Sequence, residues 1–125
     1  MGGREIGVRL GLVLIVDDSA AFRDIARRVL IQWRHTVVVA GSVQEALAVA
    51  ARHRPVLALV DIGLPDGDGF DLAIQLRLFP TPARIALLST DSDPGTALAA
   101  ERPGGARFFP KVALLSDEFR QFLDG

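Results

Sequence analysis

Four short polar segments carry the residue types that could do chemistry, and each one ends an apolar run of strand length. They are Asp17-Asp18, Asp61, Ser89-Thr90 and Lys111. Each has an ordinary explanation by itself, because aspartates often cap helices, Ser-Thr pairs often form turns and a lysine is usually solvated. Their joint position is more informative, since ligands bind where parallel strands of an α/β sheet end. Lys111 is also the only lysine of the chain.

Carboxylates that share one site repel one another and raise each other's pKa unless a cation neutralises them. Mg2+ is the natural counterion, because it binds one or two carboxylates together with water and phosphate oxygens. A hydroxyl and an ammonium group opposite the ion would suit the other oxygens of a phosphoryl group. With no histidine in this set, the available nucleophile is a carboxylate, whose attack on a phosphoryl donor gives an acyl phosphate.

The elements that must position these residues alternate along the chain. Apolar or β-branched runs predict strands over 12–16, 36–40, 56–60, 85–88 and 107–109. Periodicity and capping residues predict helices over 20–34, 42–51, 69–78, 94–101 and 113–123. Ser42 and Glu45 have capping-box spacing, and Asp17-Asp18-Ser19 supplies N-cap chemistry. This alternation predicts an α/β fold, a doubly wound parallel sheet with helices on both faces.

Composition narrows the class of protein. The 125 residues are 50% hydrophobic and 23% charged, which suits one folded domain with a sizeable core. A net charge of −1 gives no electrostatic case for binding nucleic acid or an anionic membrane, and the absence of cysteine excludes disulfides and thiol chemistry. The apolar run at 12–16 is too short to span a bilayer. We expect a cytoplasmic protein with a short leader at 1–10 and one domain over 11–125.

The motifs resemble the receiver domain of two-component response regulators, over roughly residues 11–124. An apolar strand followed by an acidic pair resembles the opening of that domain, and an aspartate followed by Leu-Pro and Gly resembles its phosphoacceptor segment. The residues at the ends of the predicted fourth and fifth strands also resemble those of the receiver domain. These segments read LVLIVDDS (12–19), DIGLPDGDGF (61–70), LLST (87–90) and FFPK (108–111). The resemblance implies a flavodoxin-like sheet with strand order 2-1-3-4-5.

The resemblance also implies a Mg2+ site and a phosphoacceptor. Asp61 would be phosphorylated by a histidine kinase or a phosphotransfer protein. Asp18 would bind Mg2+ directly, and Asp17 would act through water or hold the site together. Asp61 and the backbone carbonyl of Gly63 would complete the protein ligands. Lys111 would contact a phosphoryl oxygen.

Further residues are implied to switch or tune the domain. Ser89 would be the hydroxyl that moves to the phosphoryl group, and Phe108 would be the aromatic residue that changes rotamer with it. Gly63 and Asp91, two residues beyond Asp61 and Ser89, would tune hydrolysis of the acyl phosphate. Gly63 leaves the site open to water, so we expect a modest phosphoryl lifetime. The switched surface would control an output domain, a partner or a second copy.

Two positions depart from the usual family pattern. Val112 follows Lys111 where a proline is usual in the family, and a proline, Pro110, instead precedes Lys111. Because a non-proline cis bond costs about 3 kcal/mol, we expect the bond before Val112 to be trans. Phe108 has no hydroxyl, unlike the tyrosine of many relatives, which favours a buried rotamer; the alternative is that Phe108 is simply core.

Other polar residues have simpler interpretations. The segment from Asp66 to Gly69 lacks the glutamate and spacing of an EF-hand, so we expect a solvated turn before a helix. His35 and His53 are expected at the surface rather than as metal ligands, and Trp33 far from the site.

Three other functions are compatible with parts of the sequence. A pseudo-receiver would be an interaction module that is never phosphorylated, which the complete set of acidic, hydroxyl and lysine residues argues against. A flavodoxin-like cofactor binder would need a phosphate-binding loop after the first strand, where Asp17 and Asp18 stand instead. A phosphatase with an aspartate nucleophile after its first strand would leave the Asp61 segment unexplained. We expect no direct binding of nucleic acid, no membrane association and no metabolic enzyme activity.

Overall fold

The computed structural model describes residues 11–80, 82–89 and 106–124, which form one parallel sheet with helices packed on it. The sheet has the strand order β2-β1-β3-β4-β5, and its strands are β1 (Leu12–Val16), β2 (Thr36–Ala40), β3 (Leu57–Asp61), β4 (Arg84–Ser89) and β5 (Arg107–Pro110). The helices are α1 (Ala20–Gln32), α2 (Val43–His53), α3 (Gly69–Arg77) and α4 (Asp117–Asp124). The predicted fold class and strand order are confirmed. The predicted leader at 1–10 and the helix at 94–101 lie outside the described residues.

Alternation along the strands divides the core between two faces of the sheet. In β1, Leu14 and Val16 pack with residues of α2 and α3, whereas Val13 and Ile15 pack with residues of α1 and α4. All five residues of β3 are buried. A central strand that is covered on both faces must be apolar throughout, which explains the uninterrupted runs in the sequence. The polar residue Asp61 is therefore confined to the end of its strand.

Helices α1 and α2 begin where the sequence predicts. Ser19 caps α1, since its Oγ accepts a hydrogen bond from the N–H of Phe22 at 3.2 Å. Ser42 caps α2 through the N–H of Glu45 at 3.1 Å, and Glu45 reaches back to accept from the N–H of Gly41 at 2.7 Å. The predicted capping box therefore forms, with its return bond shifted by one residue. None of the helices in the described ranges is long and apolar enough to cross a bilayer.

The loop between β3 and α3 is more ordered than a simple turn. Residues Gly63–Leu64 and Gly67–Asp68 pair as a two-residue antiparallel ribbon. Asp66, at its tip, accepts hydrogen bonds from the N–H groups of Val43 (2.7 Å) and Gln44 (3.0 Å) in the first turn of α2. These bonds lower the pKa of Asp66, with the Gln44 bond as the larger cause. Asp66 thus ties this loop to a helix 23 residues earlier in the chain.

The prediction of one continuous helix over 113–123 is wrong. Residues Lys111–Leu115 form a 3-10 helix, and α4 starts only after Ser116, whose backbone is extended (φ −76°, ψ 155°). Ser116 Oγ accepts a hydrogen bond from the N–H of Phe119 at 3.1 Å, as an N-cap does. Ser116 followed by Asp117 and Glu118 was the sequence signal for this new helix start.

The expectation that His35 lies at the surface is also wrong, because only 5% of it is exposed. Helix α1 ends in a Schellman motif, in which the N–H of His35 bonds to the carbonyl of Leu30 and the N–H of Arg34 to that of Ile31. Arg34 adopts the left-handed conformation (φ 72°) that glycine usually takes there. The turn directs the chain, and His35 with it, into the protein. His53, by contrast, is exposed as expected.

Candidate functional site

The candidate site lies at the edge where the parallel strands end. Asp17 follows β1 directly, Asp61 is the last residue of β3, and Ser89 is the last residue of β4. Lys111 follows β5 as the first residue of the 3-10 helix. Parallel pairing of β1 with β3, β3 with β4 and β4 with β5 places these four strand ends side by side.

Asp17 is the most enclosed polar residue of this edge, with 1% of its surface exposed. Its Oδ1 accepts a hydrogen bond from the N–H of Ser19 at 2.9 Å, and its own N–H donates to the carbonyl of Ala40 at 3.0 Å. Its Oδ2 lies 2.6 Å from Nζ of Lys111. The Asp17 carboxylate is therefore fixed by a backbone donor and by an ion pair. This arrangement leaves the neighbouring, exposed Asp18 as the more accessible carboxylate.

Asp61 faces both the lysine and the acidic pair. Its Oδ1 lies 3.7 Å from Nζ of Lys111. Carboxylate oxygens of Asp17, Asp18 and Asp61 all lie within 4.8 Å of one another. Asp61 is 8% exposed, so little of its surface is open to an approaching group.

Burial is the main reason why the pKa of Asp61 is raised above its ordinary value, and the negative charge of Asp17 raises it further. The ammonium group of Lys111 and a hydrogen bond from the N–H of Gly63 lower this pKa in part. Without a further cation, the site therefore disfavours the ionised form of Asp61, which is the form that acts as a nucleophile.

These residues fit a divalent cation. When all three carboxylates are ionised, they carry two more negative charges than the ammonium group of Lys111 neutralises. A hard ion with oxygen ligands would neutralise them, and the donor set of Asp17, Asp18 and Asp61 contains only carboxylate oxygens, as Mg2+ prefers. Gly63 is exposed two residues beyond Asp61, with nothing within 4 Å of the position that a side chain would take. The backbone there is open to a ligand.

The other predicted residues are placed as follows. Ser89 is 5% exposed and stands one position beyond Leu88, the strand partner of Asp61. Phe108 is 8% exposed and packs in the core, which fits both the expected buried rotamer and the alternative that Phe108 is simply core. Thr90 and Asp91 lie outside the described residues. The bond between Lys111 and Val112 is trans, as expected.

Two residues of α1 contact the site, although no pattern in the sequence indicates this. The Nη1 atom of Arg23 donates a 2.6 Å hydrogen bond to the carbonyl of Asp17 and so holds the turn that carries the acidic pair. The ring centroid of Phe22 lies 4.6 Å from Nζ of Lys111. Periodicity placed Phe22 on the apolar stripe of the helix and could not reveal that a lysine 89 residues later meets its ring.

Gly69 explains how α3 comes so close to the site. A Cβ atom at this position would overlap the carbonyl oxygen of Asp61 and lie 2.7 Å from Cα of Ile62. The N–H of Gly69 donates to the carbonyl of Ile62 at 3.0 Å. The helix therefore starts in direct backbone contact with the residues around the candidate nucleophile, and only glycine leaves room for this contact.

The chain belongs to the response regulator receiver domain family, whose model matches residues 13–119. It is 34% identical over 99 residues to the KDP operon transcriptional regulatory protein KdpE of Escherichia coli, covering 79% of this chain and 44% of KdpE. The signal receiver domain of the putative response regulator NarL from Mycobacterium tuberculosis has a TM-score of 0.79 and 28% identity, covering 91% of this chain and 94% of that one. The BeF3-activated N-terminal receiver domain of Klebsiella pneumoniae RstA has a TM-score of 0.79 and 27% identity, covering 90% of this chain and 97% of that one.

Membership of this family defines the chain as a signalling module of two-component systems. Phosphorylation on an aspartate is general in the family, and its members bind Mg2+ at an acidic pocket. The chain spans about half the length of the curated relatives it matches, among them KdpE and a probable transcriptional regulatory protein NarL of Mycobacterium tuberculosis.

Proposed function

We propose that Asp61 is the phosphoacceptor of this receiver and takes its phosphoryl group from a phosphohistidine of a histidine kinase or phosphotransfer protein. A carboxylate oxygen of Asp61 attacks phosphorus as the bond from phosphorus to the donor imidazole breaks. The imidazole leaves with the electron pair of that bond and takes up a proton. The observation that carries this proposal is the position of Asp61, in reach of Lys111 and within 4.8 Å of two more carboxylates.

The other residues of the site divide between metal binding and charge neutralisation. Asp18, Asp61 and the carbonyl of Gly63 would hold Mg2+ directly, with Asp17 acting through water because Lys111 already occupies its Oδ2. Bound Mg2+ supplies positive charge that offsets the charge of the phosphoryl oxygens. Lys111 would bind a phosphoryl oxygen from the opposite side.

Phosphorylation would act on the rest of the domain through Ser89 and Phe108. The Ser89 hydroxyl, next to the strand partner of Asp61, would bind the phosphoryl group, and the buried ring of Phe108 would repack with it. We propose that residues 11–125 form the receiver unit and that the repacked surface controls an output domain, a partner or a second copy.

The test is the intact mass of the protein after incubation with acetyl phosphate, with and without Mg2+. We expect a gain of one phosphoryl group that requires Mg2+ and disappears in Asp61→Asn. The matched control is Asp71→Asn, an exposed aspartate in the first turn of α3 that should leave the reaction unchanged. A folded wild-type protein that gains no mass under any condition would instead favour a phosphorylation-independent interaction module.

A further inference from the structure

Besides its acidic residues and Lys111, the site contains an aromatic ring, that of Phe22. We propose that Phe22 is a positioning residue for phosphoryl transfer, because its ring holds the ammonium group of Lys111 beside Asp61. This inference rests on the function proposed above. It assigns a role in the reaction to a residue of α1 whose side chain has no polar atom.

The contact geometry is that of a cation–π interaction. The Nζ atom of Lys111 lies 4.6 Å from the centroid of the Phe22 ring, within the range over which a ring attracts a cation. Only 16% of the Lys111 side chain is exposed, and such an attraction is stronger where water is excluded. The ring is thus a third partner of the ammonium group, besides the carboxylates of Asp17 and Asp61.

The chain around Lys111 fixes its side chain weakly, so the contacts that hold the ammonium group come from other elements, the ring of Phe22 among them. A lysine side chain is long and flexible, so its ammonium group stays in one place only where contacts hold it. The next residue, Val112, is 92% exposed and contributes almost no packing. Lys111 also opens a short 3-10 helix with no side-chain cap. The tip of the side chain must therefore be held from outside its own segment.

Phe22 is itself held in place, as a residue that positions Lys111 must be. Its N–H donates to Ser19 Oγ in the cap of α1, and its half-buried side chain packs against the core between the sheet and α1. A ring also has an advantage over another carboxylate, since it attracts the ammonium group without adding negative charge where the phosphoryl oxygens arrive. Phe22 can thus position Lys111 without opposing the incoming group.

The experiment compares Phe22→Leu, which keeps an apolar side chain but removes the ring, with Phe22→Tyr, which keeps the ring. Two quantities are measured for each: the rate of Asp61 phosphorylation by acetyl phosphate with Mg2+, and the NMR chemical shift of the Lys111 Hε protons. Because Lys111 is the only lysine, selective lysine labelling gives one signal that needs no assignment. Ile25→Ala is the matched control, since Ile25 also lies on α1, lines a surface groove together with Phe22 and Lys111, and is 55% exposed.

In the wild-type protein we expect the ring current to move the Hε signal upfield. Phe22→Leu should return it towards the value of a free lysine and slow phosphorylation roughly two- to thirty-fold, the range that a lost cation–π contact corresponds to. Phe22→Tyr should keep both the shift and most of the rate, and Ile25→Ala should change neither. Backbone NMR spectra establish that each variant is folded.

Three results would overturn the inference while the proposed function stands: an unchanged rate in Phe22→Leu, an unchanged Hε shift, or a loss of rate in Phe22→Tyr as large as that in Phe22→Leu. A wild-type protein that takes up no phosphoryl group would overturn the proposed function itself, and the role of Phe22 with it.

Discussion

Lys111 and Asp17 form the tightest ion pair of the site, with 2.6 Å between Nζ and Oδ2. Asp17 is almost wholly buried, and the lysine is mostly so. The pair joins the end of β1 to the segment after β5, across the two strands that separate them in the sheet. It also leaves the ammonium group 3.7 Å from Asp61, close enough to shift towards a group bound there.

Replacing Lys111 by Met should destabilise the protein in the absence of divalent cations. The change leaves the buried Asp17 carboxylate without its partner, and breaking a buried pair in this way costs about 3 kcal/mol. Adding Mg2+ should restore part of the loss, because the cation neutralises the same carboxylates. Urea unfolding in EDTA and in Mg2+ measures both effects.

The control for this prediction is Arg28→Met, which removes an exposed ion pair with Asp24 and should cost less than about 0.5 kcal/mol. If both variants lose the same free energy of unfolding, the pair of Lys111 and Asp17 stabilises the protein no more than an exposed ion pair does.

Asp61→Asn should stabilise the metal-free protein at neutral pH. The pKa of Asp61 is raised in the folded state, mainly by burial, so its ionised form opposes folding. This opposition is fully present above the folded pKa and disappears as the pH falls below the unfolded value of about 3.9, where the carboxyl becomes protonated in both states. The advantage of the variant should therefore shrink on acidification.

Thermal unfolding of both proteins in EDTA, from neutral pH down to about pH 4, measures this difference. The wild-type protein should also gain stability from Mg2+ where the variant gains less. A difference between the two proteins that stays constant over the whole pH range would contradict the assignment of the effect to the charge of Asp61.

Gly69→Ala should lower the free energy of unfolding by about 2 kcal/mol, because the added methyl group meets backbone atoms of Asp61 and Ile62 that cannot move aside. Gly63→Ala is the matched control in the same loop, since its methyl group would meet no atom within 4 Å. We expect a loss below about 0.5 kcal/mol there, as for an ordinary surface change. Denaturant unfolding compares the two, and similar losses would refute the backbone-contact explanation.

The phosphorylated domain should lose its phosphoryl group quickly, and Gly63→Leu should lengthen its half-life several-fold. Gly63 is exposed and leaves open space beside Asp61, so a leucine there would hinder the approach of water. The donor is removed, and the intact mass measured at intervals afterwards gives the rate at which the phosphoryl group is lost. A wild-type half-life of many hours would contradict the expectation.

The site was predictable to the extent that it depends on strand ends. Apolar runs fix where β1 and β3 stop, and Asp17 and Asp61 stand at those points in the chain, so the acidic cluster follows from topology. The helix start at Ser42 was equally visible, because a capping box is formed within four residues. By contrast, no local pattern marked Arg34, which takes a glycine conformation and turns His35 inwards.

The sequence by itself therefore determined the order of the elements, the fold class and the acidic residues at the sheet edge, because hydrophobic periodicity and capping act over a few residues. Only the tertiary structure decided which distant groups meet. Phe22 contacts Lys111, Arg23 donates to the carbonyl of Asp17, and Asp66 accepts from the first turn of α2. Such contacts depend on how helices are set against the sheet. That placement is a property of the packed core as a whole, and no short segment encodes it.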